Sequence, residues 1–173
     1  MQPADPMIIR KARKEDLQNI MNMYKSCVEG MLSKGIDQWD DTYPNTEIIN
    51  KDISIGTYYV AEIEKIIVGG INLDQNQDDT YLALKWQDKS NSFLVVHRLA
   101  VKADFWSKNI GRDLMLFCEK LVAKKGLRSI RLDTYSGNLN AMNFYKRIGY
   151  IEIGAIDLKP GKDKYYCFEK IIK

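Results

Sequence analysis

Apolar residues recur along the chain with two different spacings. From about Lys14 to Leu32, the residues Leu17, Ile20, Met21, Tyr24, Cys27, Val28, Met31 and Leu32 fall three or four apart, which predicts an amphipathic helix. Glu15 and Asp16 lie in its first turn, where the helix dipole favours negative charge. A second helix is expected from Thr46 to about Ile55, capped by Asn45 or Thr46 and ended by Gly56. A third, Ile110 to Lys125, carries Leu114, Phe117, Leu121 and Val122 on one stripe and stops at Gly126. A fourth runs from Asn138 to Ile148, with Gly149 just beyond. Between the helices lie β-rich runs: Met7 to Arg10, Thr57 to Ile63, Ile66 to Leu73, Ser92 to Val101, Ser129 to Tyr135, Ile151 to Leu158 and Tyr165 to Ile172. Glu64-Lys65 and Pro160-Gly161 are the expected turns, and Gly69-Gly70 predicts a bulge or bend.

In Ser92 to Val101, Phe93, Val95, His97, Leu99 and Val101 are expected on one face. Leu94, Val96, Arg98 and Ala100 are expected on the other, as suits a strand covered on both sides. Ser33 to Asn45 reads as a loop rich in acids and aromatics. Asp74 to Asn91 is polar, with a packed turn or short strand expected around Tyr81, Leu82, Leu84 and Trp86. With no repeat and no linker, the order predicts a single mixed α/β domain over residues 1–173.

Composition narrows the class. The chain has 173 residues, 45% apolar and 28% charged, as in an ordinary globular domain with one core. The net charge is only +3, and the basic residues are scattered, which argues against a nucleic-acid partner. Three widely spaced cysteines, no CxxC pair and one histidine argue against a disulfide framework or a bound metal, and fit a reducing cytosol. No apolar run reaches the length of a membrane span. Met1 to Pro6 lacks the basic and apolar regions of a signal peptide, so a cytoplasmic location is expected.

The chemistry is concentrated between Ser92 and Gly149. The loop Trp106-Ser107-Lys108-Asn109-Ile110-Gly111-Arg112 runs directly into a helix. The free N–H groups and dipole at such a start can seat a phosphate, and Lys108 and Arg112 can add charge-assisted contacts. On its own this is also an ordinary loop before a helix, or the phosphate seat of some other nucleotide-using enzyme.

A second pattern follows, Asn138-Leu139-Asn140-Ala141-Met142-Asn143-Phe144-Tyr145 and then Ile148-Gly149-Tyr150. Asn-x-x-Ala-x-x-Phe-Tyr followed by Gly and an aromatic resembles the closing motif of the GNAT superfamily of acetyl-CoA-dependent N-acyltransferases. His97 to Val101 looks like that family's fourth strand, and Trp106 to Arg112 like its pyrophosphate loop. The likeness is specific from about Phe93 to Gly154 and topological before that. The family loop usually reads Gln or Arg, two residues, Gly, one residue, then Gly or Ala. Here Trp106, Asn109 and Gly111 hold those positions, and Asn tolerates a left-handed backbone better than most residues.

The resemblance implies a GNAT-like α/β fold. Its mostly antiparallel sheet of six or seven strands would be splayed between the fourth and fifth, with four helices. It implies acetyl-CoA as co-substrate and no metal. Its arm would pair with backbone at Leu99, Ala100 and Val101. Its pyrophosphate would lie on amides of Ser107, Lys108, Asn109, Ile110, Gly111 and Arg112, with Asn138 reaching it from the next helix. The partners implied are acetyl-CoA and an amine acceptor, and a homodimer is common among similar proteins. A non-catalytic acyl-CoA sensor with the same fold is the rival reading.

Tyr145 is the candidate general acid for the leaving thiolate, against a plain core aromatic. His97 is the candidate base, against a histidine packed between strand and helix. Asp37, with Asp40 and Asp41, is expected to attract a cationic amine, and Trp39 and Tyr43 to wall its pocket, against a solvated acidic loop. Asp133 is expected to partner Arg98 or Arg131, with no catalytic role.

Overall fold

The computed structural model describes residues 6–173. The signal-peptide expectation therefore falls almost wholly on residues outside the described ones. The chain forms β1 (Ile8–Lys11), α1 (Leu17–Ser33), α2 (Thr46–Ser54), β2 (Tyr58–Ile63), β3 (Ile66–Asp74), β4 (Phe93–Val101), α3 (Ile110–Lys124), β5 (Ser129–Tyr135), α4 (Leu139–Arg147), β6 (Ile151–Ile156) and β7 (Tyr165–Ile171). Short 3-10 turns lie at Lys14–Asp16, Asp79–Ala83 and Ala103–Phe105.

The seven strands form a sheet in the order β1-β2-β3-β4-β5-β7-β6. The pairs β1–β2, β2–β3, β5–β7 and β6–β7 are antiparallel, and β4–β5 is parallel. The parallel register covers Phe93 to Val96 against Ser129 to Leu132, while β4 continues to Val101 and β5 to Tyr135. The parallel β4–β5 pair fits the sheet expected to be splayed at its fourth and fifth strands.

The described residues cluster into two compact units. One comprises residues up to Leu73 with His97–Phe117, and the other comprises Asp74–Val96 with Cys118–Lys173.

In the first unit, Ile20, Met23, Tyr24, Cys27, Val28 and Met31 form the buried stripe of α1, packed with Ile49 and Ile53 of α2 and with Tyr58, Val60, Ile67 and Ala100. Asn45 is the α2 cap, its side-chain oxygen accepting the Ile48 N–H at 3.0 Å, and Gly56 ends that helix at φ 76°. Asp16 serves more than the helix dipole: its carboxylate accepts from Arg10 Nη1 at 2.7 Å and from the Arg13 N–H at 2.7 Å. Glu64 and Lys65 both take positive φ, 49° and 66°, which matches a tight two-residue hairpin.

The expected irregularity at the glycine pair lies one residue away. Ala61 faces Gly69 and Glu62 faces Ile67, so Val68 is the extra residue. The glycines themselves make room. A Cβ at Gly70 would lie 2.1 Å from the Tyr58 hydroxyl, and one at Gly69 would press on Ile110, Leu114 and the Ala100 carbonyl.

In the second unit, Tyr81, Trp86, Phe93, Val95, Tyr135, Ile156, Tyr165 and Cys167 make the core cluster. The segment Asp74 to Asn91 contains a 3-10 turn rather than a strand, with Tyr81 and Trp86 buried and Leu82 exposed. The Glu169 carboxylate pins it by accepting the Gln87 N–H at 2.6 Å and the Asp88 N–H at 3.2 Å. Arg131 does the same, donating to Gln77 Oε1 at 2.9 Å and to the Asp88 carbonyl at 3.0 Å. Asp133 accepts from the Tyr81 hydroxyl at 2.5 Å, and Glu169 Oε1 lies 3.8 Å from the Arg131 Nε. The buried stripe of α3 is Ile110, Leu114, Met115, Cys118 and Val122, with Phe117 and Leu121 half-buried beside it.

Candidate functional site

The alternation expected along β4 breaks at Arg98, which takes a left-handed φ of 54°. A side chain there costs about 1–2 kcal/mol relative to ordinary backbone, so something must hold it. Two sets of contacts do. The Arg98 carbonyl accepts the Tyr24 hydroxyl at 2.6 Å, and Tyr24 in turn accepts the Tyr58 hydroxyl at 2.8 Å. The Arg98 guanidinium pairs with the buried Asp52 of α2 and donates to the Tyr43 hydroxyl at 3.3 Å. Burial pushes the Tyr24 and Tyr58 hydroxyls well above their ordinary range, so both remain protonated donors.

Past this corner the chain reaches Val101, Trp106 and the start of α3. The Trp106 indole is turned back on its own segment. Its Nε1 donates to the Val101 carbonyl at 2.8 Å, and its ring lies so close to Gly30 that a Cβ there would be 2.7 Å away. Lys34 Nζ stands 4.8 Å from the centre of the same ring. Trp106 thus makes a polar contact of its own, within the protein, at the position where the family uses Gln or Arg. Cys27, packed in the α1 core, has its thiol pushed up to about 11 by burial, partly opposed by a hydrogen bond from the Val101 backbone.

Ser107 and Asn109 both adopt left-handed backbone, φ 62° and 64°, just before Ile110 begins α3. Asn109 therefore takes the conformation for which glycine would serve, as its sequence position predicts. Alternating left- and right-handed residues turn successive N–H groups to one side and form an anion-holding hollow. Ser107, Lys108 and Asn109 are exposed. The Asp113 N–H bonds the Asn109 carbonyl at 2.9 Å, so the first turn leaves the earlier amides without intrahelical partners. Lys108 Nζ lies over the Phe105 ring at 4.6 Å. The chemistry of this segment, several converging amides and adjacent cations, fits a pyrophosphate.

In the loop before α2, Asp37, Asp40 and Asp41 are exposed. Trp39 is half-buried and meets Tyr24 edge-on, with ring centres 5.7 Å apart. Tyr43 is half-buried against Arg98. His97, half-buried, directly precedes the Arg98 corner. These residues, with Leu99 to Val101 and the α3 start, all belong to the first unit.

Asn138 and Tyr145 belong to the second unit. Asn138 is the cap of α4, its side-chain oxygen accepting the Ala141 N–H at 3.1 Å. Tyr145 is 7% exposed, ringed by Phe144, Tyr150 and Phe168. Burial, with the charge of Asp133 adding to it, holds its hydroxyl well above the ordinary range.

Sequence reasoning did not pick out Tyr24, Asp52 or Tyr58. Tyr24 and Tyr58 read as core aromatics. Asp52 lies on the buried face of α2 beside Ile49 and Ile53, and a carboxylate on an apolar face was the available signal.

Comparison with known proteins agrees with this arrangement. The Acetyltransferase (GNAT) family matches residues 17–150. An uncharacterized N-acetyltransferase, YesJ, of Bacillus subtilis (strain 168) is 25% identical over 171 residues, covering 98% of this chain and 92% of that protein. The crystal structure of a GNAT-family acetyltransferase from Streptococcus agalactiae 2603 superposes with a TM-score of 0.82 at 23% identity, covering 99% of this chain and 98% of that one. PaiA N-acetyltransferase from Thermoplasma acidophilum, solved in complex with coenzyme A, gives a TM-score of 0.69 at 20% identity over 96% of this chain and 99% of that one. No described helix is long and apolar enough to cross a membrane. With the family match spanning both units, and the sheet order and parallel β4–β5 pair in place, this chain belongs to the GNAT family of acetyltransferases.

Proposed function

We propose that the chain transfers an acetyl group from acetyl-CoA to a primary amine of a small molecule or peptide, by direct attack within a ternary complex. The observation that carries this reading is Tyr145: largely buried on α4, with its hydroxyl kept protonated by that burial. A hydroxyl that stays protonated is what a departing thiolate needs.

Acetyl-CoA supplies the acyl group already activated as a thioester. The amides from Ser107 to Arg112, aided by Lys108 and Arg112, hold its pyrophosphate. Along β4, the Val101 backbone already serves Trp106 and Cys27, so the arm and the carbonyl oxygen of the tetrahedral intermediate are assigned to Leu99 and its neighbour Ala100. His97, directly or through water, takes a proton from the ammonium so that the amine can attack. The C–N bond forms, the C–S bond breaks and Tyr145 protonates the sulfur, while the second proton lost by the acylated nitrogen passes through water to restore the tyrosine. Asn138 acts through α4, whose start it caps and which carries Tyr145. The exposed acids Asp37, Asp40 and Asp41, beside Trp39 and Tyr43, favour a cationic acceptor. The family match runs through both units, which supports treating them as one catalytic domain. Three free, buried cysteines fit a cytoplasmic location.

The test is release of free thiol from acetyl-CoA against a panel of amines, with Tyr145→Phe alongside. Wild type should turn over and prefer cationic amines, while Tyr145→Phe should lower kcat by about a hundredfold. Its affinity for CoA, measured by calorimetry, should be unchanged. Equal turnover by the two proteins removes Tyr145 from the chemistry. CoA binding without transfer to any amine replaces the enzyme with a sensor.

A further inference from the structure

We infer that Arg98 is a positioning residue that fixes the corner of β4 and couples it to the acceptor-side loop. The inference rests on the acetyl-transfer reading above. Arg98 is the one described non-glycine residue inside a strand with a left-handed backbone. Its two neighbours are His97, the assigned base, and Leu99, assigned to the acyl arm. The direction in which both point is therefore set at Arg98, because a left-handed residue reverses the local pleat.

Four elements of the first unit grip this one residue. Tyr24 of α1 and Tyr58 of β2 hold its carbonyl through a two-hydroxyl chain, and Gly70 of β3 has no side chain to displace the Tyr58 hydroxyl. Asp52 of α2 and Tyr43, in the loop leading to α2, hold its guanidinium. With side-chain exposures of 13% and 8%, the Arg98–Asp52 pair is largely removed from water, where breaking it is most consequential. Tyr43 is the link outward. It belongs to the loop with Asp37 and Trp39, and it touches the same guanidinium that keeps the corner left-handed. Acceptor contacts at Tyr43 and thioester contacts at Leu99 therefore share a single support.

Glycine and methionine at this position separate backbone from side chain. Both lack the guanidinium, but glycine adopts the left-handed conformation freely and methionine does not. Calorimetric titration of CoA into wild type, Arg98→Gly and Arg98→Met should show affinity for Arg98→Gly close to wild type, and affinity for Arg98→Met weaker by about tenfold. Tyr43→Phe, which leaves the Arg98–Asp52 ion pair intact but removes the link to it, should raise KM for the amine severalfold and also weaken CoA affinity, by less than Arg98→Met does. Should either Arg98 variant fail to fold, the Gly and Met forms are compared in an Asp52→Asn background. Equal CoA affinities for the Gly and Met forms would overturn the corner, and an unchanged CoA affinity in Tyr43→Phe would overturn the coupling. If wild type binds CoA but acetylates no amine, the functional reading fails alone, and the Gly–Met difference still decides whether Arg98 sets the corner.

Discussion

Two arginines on β4 and β5 show how differently the two units treat a buried charge. Arg131, in the second unit, lies in a regular ladder. It is flanked by the rings of Phe93 at 4.1 Å and Trp86 at 4.5 Å, and its nearest carboxylate oxygen is Glu169 Oε1 at 3.8 Å from its Nε. Burial holds its pKa below the ordinary value, only partly offset by Glu169 and Asp88. Its hydrogen bonds go to the Gln77 side chain and the Asp88 carbonyl, and so tie a long polar loop to the sheet. Arg98, in the first unit, stands on strained backbone, and there burial is outweighed by Tyr43 and Asp52, so its pKa is raised.

The contrast extends to the backbone generally. Of the described non-glycine residues with positive φ, Glu64, Lys65, Arg98, Ser107 and Asn109 fall in the first unit and only Asn91 in the second. Three of those five border the residues assigned to the cofactor. Strained conformations persist where surrounding structure over-determines them, and they gather at functional sites. On the proposed reading, the first unit supplies the shaped backbone and Tyr145 of the second supplies the proton.

The largest test of this division is Arg131→Met. Removing one partner from a buried charged cluster should cost about 3–5 kcal/mol of stability, read from the denaturant midpoint, with kcat of the folded fraction unchanged. A loss of turnover at unchanged stability would erase the distinction between the two arginines.

Alkali probes where the units are alike. Tyr24, Tyr58 and Cys27 in one, and Tyr81, Tyr145, Tyr150, Cys118 and Cys167 in the other, all have values raised chiefly by burial. A raised value in the folded state means that the protonated form is the one that folding favours. Stability is complete below the unfolded value and falls as pH rises through the folded one. For Cys27 that window runs from 9.0 to about 11. Each such group gives up about 1.4 kcal/mol per pH unit inside its window. Chemical denaturation at pH 8, 9.5 and 10.5 should therefore show a steep decline, and a flat profile would mean these groups are not protonated in the folded core.

The smallest expected effect is at Asn109. Asn109→Gly should leave CoA affinity at or slightly above wild type, while Asn109→Val should weaken it by about tenfold, since β-branched residues resist left-handed backbone. Equal affinities would show that the hollow before α3 does not hold the ligand.

The regular parts of the molecule were legible because local rules govern them. The cap at Asn45, the stop at Gly126, the turn at Glu64-Lys65 and the strand Ser129–Tyr135 follow from spacing and turn chemistry alone. Asn109 was legible for the same reason, as a residue tolerant of φ > 0 where the family has glycine. The Arg98 corner was not, because its cause is spread over α1, α2 and β2 and leaves no periodic trace; a clean alternation of side chains concealed it. Trp106 looked like the loss of a polar residue, yet its indole N–H bonds the Val101 carbonyl in the fold. Asp133 drew attention by its charge, and the Tyr81 hydroxyl bonded to it, 52 residues away in sequence, had no local signal.

The close fit of Gly30 against Trp106 carries a consequence for descent. With 2.7 Å between the ring and any methyl group placed at residue 30, that position cannot change while the indole stays. A lineage that restores Gln or Arg at 106 becomes free to take alanine or serine at 30, and one that keeps the indole must keep the glycine. Within this protein's kin, positions 30 and 106 should be inherited as a pair, a pattern that an alignment can check before any protein is made.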